Sequence, residues 1–200
     1  KYQLFNTAAE SKSCHGVVER IGASGTRHVY RGPQGEAVQE LPPGGHAESF
    51  RAMLAALTAP GTGVLGGPAE VTAVAHRVVH GGERFTEATL ITDEVVDEIE
   101  RLGPLAPLHN PVNAVGIREA RRVFPHVPHV AAFDTAYHHT LPSYAYLYGL
   151  PYSLYEEKGL RRFGFHGFSH SYACLRAAEF LQRRTNELEI VSCHLGNGAS

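Results

Sequence analysis

Two histidines four residues apart, His166 and His170, stand in the stretch RFGFHGFSH at 162–170. Glycines flank the first of them at 164 and 167, and phenylalanines occupy 163, 165 and 168. Such a stretch can serve as a metal site, a histidine donor held in an apolar wall, or a tight turn ahead of a helix. Metal ligation from one helix needs both rings on one face, and Gly167 between them opposes helical geometry at His166. No third ligand follows at a zinc-like spacing. A histidine beside Phe165 suits a donor that stabilises charge developing in a transition state.

Four further stretches carry groups for anion chemistry. HLGNGAS at 194–200 places Gly196 and Gly198 where backbone N–H groups can turn toward a phosphate, with Asn197 and Ser200 as side-chain donors. The same letters also fit a strand-to-hairpin turn, because Asn-Gly is a common hairpin pair. In HRVVHGGE at 76–83, Arg77 falls within or at the end of a buried strand, and a buried guanidinium needs an anionic partner. That partner is either a structural carboxylate or a substrate. Val79 shares a strand face with Arg77, and a cation beside a small apolar wall suits a short organic carboxylate or acyl phosphate. In LAPLHNPVN at 105–113, His109 precedes a helix start and either meets an anion there or helps to cap the helix. In FDTAYHHT at 133–140, Asp134 ends a strand and can orient a nucleophile, hold a metal or cap a turn. His138 and His139 point to opposite faces of an extended chain and make poor joint ligands.

The elements that position these groups alternate. Strands are expected at 1–6, 17–22, 26–32, 71–80, 129–134 and 188–195, and helices at 46–57, 92–102, 110–124 and 169–184. Thr92 caps the second helix, and Asn110 caps the third with Pro111 at its first helical position. Segments 33–45 and 59–68 read as loops, and 143–158 as irregular and rich in Tyr. The strand at 71–80 is apolar enough for a sheet interior. Alternation of strands and helices indicates an α/β protein. In such sheets ligands gather beyond the carboxyl ends of strands, which is where the Arg77, Asp134 and His194 stretches fall.

The 200 residues suffice for one large domain or parts of two. A net charge of -2 argues against a broad nucleic-acid surface. No apolar run reaches the roughly 18 residues of a membrane span, and the opening KYQLFN reads as a strand, not a leader. Three widely spaced cysteines, 14, 174 and 193, fit free thiols in a reducing cytoplasm.

Taken in order, AHRVVHGGE, APLHNPVNAVGI, FDTAYHHTLP, YGLPYSLYEEKGLRRFGFHGFSH and HLGNGAS resemble the acetate kinase family, whose members exchange a phosphoryl group between ATP and a short carboxylate. The motifs cover most of 71–200, while 11–70 carries little specific signal. The resemblance implies an actin-like (ribonuclease H-like) α/β kinase fold of two domains with mixed sheets. Residues 1–135 would form the first, carboxylate-side domain without its first phosphate loop, and 136–200 the start of a truncated second, nucleotide-binding domain. It implies that Arg77 binds the carboxylate or acyl phosphate, and that Val79, Leu108 and Phe165 form the pocket for the substrate methyl group. Asp134 would be the catalytic carboxylate, His166 the donor to phosphoryl oxygens, and His109 its support. His194, Leu195, Gly196, Asn197 and Gly198, with Lys1, would hold nucleotide phosphates, and His170 would be helix-start structure. Phe168 stands where the family usually has Thr, and Tyr137 and His139 also depart from the commonest residues.

The implied reaction is ATP plus acetate to ADP plus acetyl phosphate, with Mg2+ and a homodimeric cytoplasmic enzyme, and no nucleic acid or membrane as partner. A magnesium-binding glutamate, a second substrate arginine and the adenine contacts would lie outside these residues, so that no metal ligand is expected within the chain. Two alternatives stand beside it: a propionate or other short-chain carboxylate kinase, and a non-catalytic folded or dimerising fragment.

Overall fold

The computed structural model describes residues 1–200 and divides into two compact units. Unit 1 comprises Lys1–Val74 and Val115–Pro128, and unit 2 comprises Ala75–Ala114 and His129–Ser200. The divisions fall at 74/75 within a strand, at 114/115 within a helix, and at 128/129 just before a strand.

Unit 1 is built on an antiparallel sheet in the order β1 (Tyr2–Asn6), β2 (Ser11–Glu19), β3 (Arg27–Gly32), β4 (Gly35–Glu40). The segment expected as a loop from 33 therefore contains a strand. Every residue of β4 is exposed, so no burial alternation marks it, and its backbone ladder to β3 holds it, with an Arg31–Glu36 ion pair between the two strands. Strand β2 begins earlier than the expected 17, because 11–16 pair with β1. Helix α1 (His46–Leu57) follows as expected. Met53 and Leu57 bury against Cys14, Tyr30 and Phe124, which form the centre of this unit's core. Cys14, Cys174 and Cys193 are free thiols.

Unit 2 carries the three-stranded sheet, with β7 (His129–Phe133) between β5 (Val74–Val78) and β6 (Thr89–Leu90). Val74 N–H donates to Pro128 O, and Asp134 N–H donates to Val78 O. The two sets of numbers rise together, so β5 and β7 run parallel, while β6 pairs antiparallel with β7. The sheet is mixed. β5 is shorter than expected and lies at the sheet's edge, not in its interior. Its burial alternates, with Val74, His76 and Val78 on the more buried face and Ala75 and Arg77 exposed.

Helix α2 (Asp93–Arg101) has the expected cap: Thr92 Oγ1 accepts from Val95 N–H, and Asp93 and Glu94 occupy the positive end. Val95, Val96 and Ile99 are its buried face. Phe85 and Phe133 stack with centroids 4.5 Å apart in the same unit. Helix α3 spans Asn110–Val123. Two short helices, α4 (Ser143–Tyr146) and α5 (Ser153–Lys158), lie within the segment expected to be irregular. Helix α6 runs from Gly167 to Phe180.

The strand expected at 188–195 does not form; Leu188–His194 is irregular, with Val191 93% exposed. A strand exists only where a neighbour accepts its backbone ladder, and no sheet partner meets this stretch. No helix is long and apolar enough to cross a membrane.

Candidate active site

Arg77 sits near the end of β5, and Asp134 follows β7 directly. Their side chains meet in a two-pronged contact, Nε to Oδ1 at 3.1 Å and Nη2 to Oδ2 at 2.5 Å. The Asp134 side chain is only 2% exposed while the Arg77 side chain is 62% exposed. This corrects the expectation of a buried arginine: the buried partner is the aspartate. The Asp134 hydrogen bonds push Arg77 above its ordinary pKa. The arginine's partner is therefore the very carboxylate that the resemblance makes catalytic. The fork uses Nε–H and one Nη2 hydrogen, which leaves the Nη1 group and the second Nη2 hydrogen unengaged by Asp134.

Asparagines of α3 fix the chain just beyond β5. Asn110 is fully buried, and its Oδ1 accepts from His80 N–H while its Nδ2 donates to His80 O and Ile99 O. Asn113 Oδ1 accepts from Val79 N–H. Asn110 is thus the first residue of α3 and a backbone clamp, not the cap that its position before Pro111 predicts. The NPVN pattern was legible, but a cap and a clamp present the same amide, and only the fold tells them apart. His80 is buried, with Phe163 at 4.4 Å and Phe165 at 5.6 Å in edge contacts, and burial lowers its pKa to about 4.

The glycines around His166 have distinct reasons. His166 itself adopts the left-handed conformation, φ 54°, and ends the chain's approach to α6. That conformation is uncommon outside glycine, although histidine tolerates it better than bulky residues. Gly167 N–H then donates to Asp134 O, and a Cβ on Gly167 would lie 2.1 Å from that oxygen. Only glycine lets the start of α6 come this close to Asp134. Gly167→Ala is therefore expected to cost about 1–3 kcal/mol or more by overpacking against backbone, and to displace His166. Urea denaturation of the variant checks this; stability equal to the parent would mean that the close approach is not required.

The His166 ring stacks on His194, centroids 4.0 Å apart, and Nδ1 lies 2.9 Å from Ser200 Oγ. Partial burial, then His194, hold its pKa below the ordinary histidine value; Asp134 opposes the shift, and Arg77 and His170 add to it. Arg77, Asp134, His166 and His194 thus form one electrostatic group. HLGNGAS closes as a small hairpin: His194 and Ser200 exchange both backbone hydrogen bonds, and Gly196 N–H donates to Gly198 O. Leu195, Gly196, Asn197 and Gly198 are exposed on it.

Other expected site residues stand outside this group. Leu108 is 81% exposed and His109 is exposed on the turn before α3, Phe165 is partly exposed and Val79 half-buried. Lys1 is the exposed first residue of unit 1. His138 and His139 lie at a 3-10 turn and not on extended chain; their ring N–H groups donate to Phe165 O and Ala136 O. No cluster of three or more His, Cys, Asp or Glu side chains is placed to hold a metal.

Sequence reasoning missed Arg161. Its side chain is 9% exposed, pairs with Glu83, and lies over the rings of Tyr146 at 3.6 Å and Phe163 at 4.9 Å. Tyr155 O–H also donates to Glu83. Arg161, Glu83 and Phe163 help to line a cavity of about 150 Å³ with Thr135, His138 and His139. The tyrosines of 143–158 were the available signal, since an aromatic-rich stretch beside an arginine suits cation–π packing.

The comparisons with known proteins follow the same lines. Residues 1–200 match the model of the acetokinase family. The acetate kinase of Thermotoga maritima is 50% identical over the whole chain, which covers 50% of that protein. The chain spans about half the length of the curated relatives it matches. Among solved structures, Porphyromonas gingivalis acetate kinase superposes with a TM-score of 0.93 at 37% identity, over 99% of this chain and 50% of the other. A propionate kinase from Francisella tularensis gives 0.90 at 34% identity, over 98% and 49%. The mixed-sheet α/β fold is that of these carboxylate kinases, and the chain belongs to the acetokinase family.

Proposed function

We propose that this chain is part of an acetate kinase, which transfers the γ-phosphoryl group of ATP to acetate and releases ADP and acetyl phosphate. One new P–O bond forms to the carboxylate oxygen as the bridging P–O bond to ADP breaks. The observation that carries the reading is the Arg77–Asp134 fork, buried on the aspartate side and open on the arginine side, within electrostatic reach of His166.

Each residue has a task in this reading. Asp134 orients Arg77, whose unengaged N–H groups take the acetate carboxylate and reduce its repulsion toward the incoming phosphoryl group. His166, neutral at physiological pH, donates a hydrogen bond to phosphoryl oxygens as charge spreads over them. His109 supports it from the turn before α3. The exposed backbone from His194 to Gly198 receives nucleotide phosphates. Val79, Leu108 and Phe165 form the walls around the substrate methyl group. Magnesium travels with the nucleotide. Asp134 is already engaged by Arg77, so the residues present do not make a magnesium site, and no step is derived through the ion.

In the whole protein we place residues 1–135 in the first domain and 136–200 at the opening of the second, and read the enzyme as a cytoplasmic homodimer. A propionate preference is the second reading, favoured by the structural likeness to a propionate kinase. The two substrates differ by one methylene, worth about 1–3 kcal/mol of discrimination in an apolar pocket. The test is acyl phosphate formation by the full-length protein with ATP and magnesium, comparing acetate with propionate, beside the 200-residue chain alone. The full-length protein is expected to turn over acetate and the chain alone to be inactive, because in-line transfer needs both substrates held together. Absence of carboxylate-dependent turnover in the folded full-length protein would overturn the reading.

A further inference from the structure

We propose that His170 is a positioning residue: acting through Ser200, it fixes which nitrogen of His166 carries the proton. The inference rests on the donor role given to His166 above.

His170 is buried in the first turn of α6. Its Nδ1 lies 2.7 Å from Ser192 Oγ, and its Nε2 lies 2.9 Å from Ser200 Oγ. The same Ser200 Oγ lies 2.9 Å from His166 Nδ1. The four side chains therefore form one chain: Ser192, His170, Ser200, His166. Ser200 is not free to drift, because its backbone is bonded at both N–H and C=O to His194. His194 in turn stacks on the His166 ring and is held at Nδ1 by Ser169 Oγ, 2.9 Å away. Stacking fixes the plane of the His166 ring but leaves its tautomer open.

The proton count couples the tautomers of the two histidines. A serine hydroxyl has one hydrogen, so Ser200 can donate to only one of its two histidines and must accept from the other. Each neutral imidazole likewise donates at one nitrogen and accepts at the other. The chain therefore has two polarities, and they switch together. In one, Ser192 donates to His170 Nδ1, His170 Nε2–H donates to Ser200, and Ser200 donates to His166 Nδ1. His166 is then left with its proton on Nε2, the nitrogen outside the chain. In the other, His166 spends its proton on Ser200 and presents a bare lone pair at Nε2, which would repel an anionic oxygen. Only the first polarity provides the donor that a phosphoryl group requires. Hydrogen bonds to the far nitrogen of a histidine are the general means of fixing a tautomer.

The experiment reads the tautomer itself. Long-range 1H–15N correlation of the 200-residue chain with 15N-labelled histidine should show His166 protonated at Nε2 and bare at Nδ1. Ser192→Ala, which removes the far anchor through a half-buried hydroxyl, should give a tautomer mixture at His166. His170→Gln keeps a donor near the Nε2 position and should retain the Nε2–H form, whereas His170→Asn should not. In the full-length enzyme, Ser192→Ala should lower kcat by about 10-fold with KM little changed, as for other groups that orient a functional histidine from behind. A His166 found protonated at Nδ1, or an unchanged tautomer in folded Ser192→Ala, overturns the proposal. A tautomer that shifts without any change in kcat supports the relay and instead removes His166 from the reaction.

Discussion

His166→Ala in the full-length enzyme is expected to lower kcat by about 10²–10³ with a modest change in KM, because the ring acts on charge present mainly in the transition state. The geometry gives this expectation its content. His166 ends the approach to α6 in a left-handed conformation, and its ring is held by the His194 stack and by Ser200. A neutral ring fixed on two sides loses little order when a substrate arrives, so its hydrogen bond goes into the transition state. The lowered pKa, from partial burial and then from His194, adds a pH criterion. A neutral donor should not lose activity as pH rises through the ordinary histidine range, as an imidazolium would. Steady-state kinetics across that range on parent and variant decide the matter. An effect confined to KM would make His166 a ground-state binder, and a loss of rate above pH 7 that vanishes in His166→Ala would make it a charged donor.

Much of this geometry could be read from the chain before the fold was known, and the limits have physical causes. Helix α2 was legible down to its cap, because Thr92 and the acidic first turn are local signals that no tertiary contact contradicts. Strand β4 was hidden because all its residues face water, so no alternation of apolar and polar residues marks it. The reverse error befell 188–195, where the letters of a strand are present but no partner strand lies alongside. At the site, motif order brought out Arg77, Asp134 and His166 separately. Their pairing was not legible, since 57 positions separate the arginine from the aspartate that holds it. Asn110 shows the same limit: its amide was visible, but the backbone of His80 that it clamps was not. Gly167 was noted for opposing a helix at His166; its closeness to Asp134 O emerges only when β7 and α6 are in place.

Arg77→Ala should weaken use of acetate or acetyl phosphate by about 2–4 kcal/mol in kcat/KM while leaving the KM for ATP close to its parent value. Two losses are expected, and only the first enters this figure. The first is the charge-assisted contact from the open side of the guanidinium to the substrate carboxylate. The second is internal: with Arg77 gone, Asp134 keeps a buried carboxylate without its fork partner. Removing one member of a fully buried pair costs about 3–5 kcal/mol of stability, but Arg77 is largely solvated, so water can enter on its side and the loss should fall below that range. Arg77→Lys separates the two effects. A lysine retains the charge yet cannot engage both Asp134 oxygens in a planar fork, so it should recover stability more fully than it recovers carboxylate use. Asp134→Asn provides the reciprocal view, since it leaves the arginine charge in place but takes away the carboxylate that aims it. If the fork exists to orient Arg77, Asp134→Asn should raise the KM for acetate even though the substrate-binding cation is still present. Unchanged carboxylate kinetics in folded Arg77→Ala would refute the substrate role, and the fork would then be a purely structural ion pair between β5 and the end of β7.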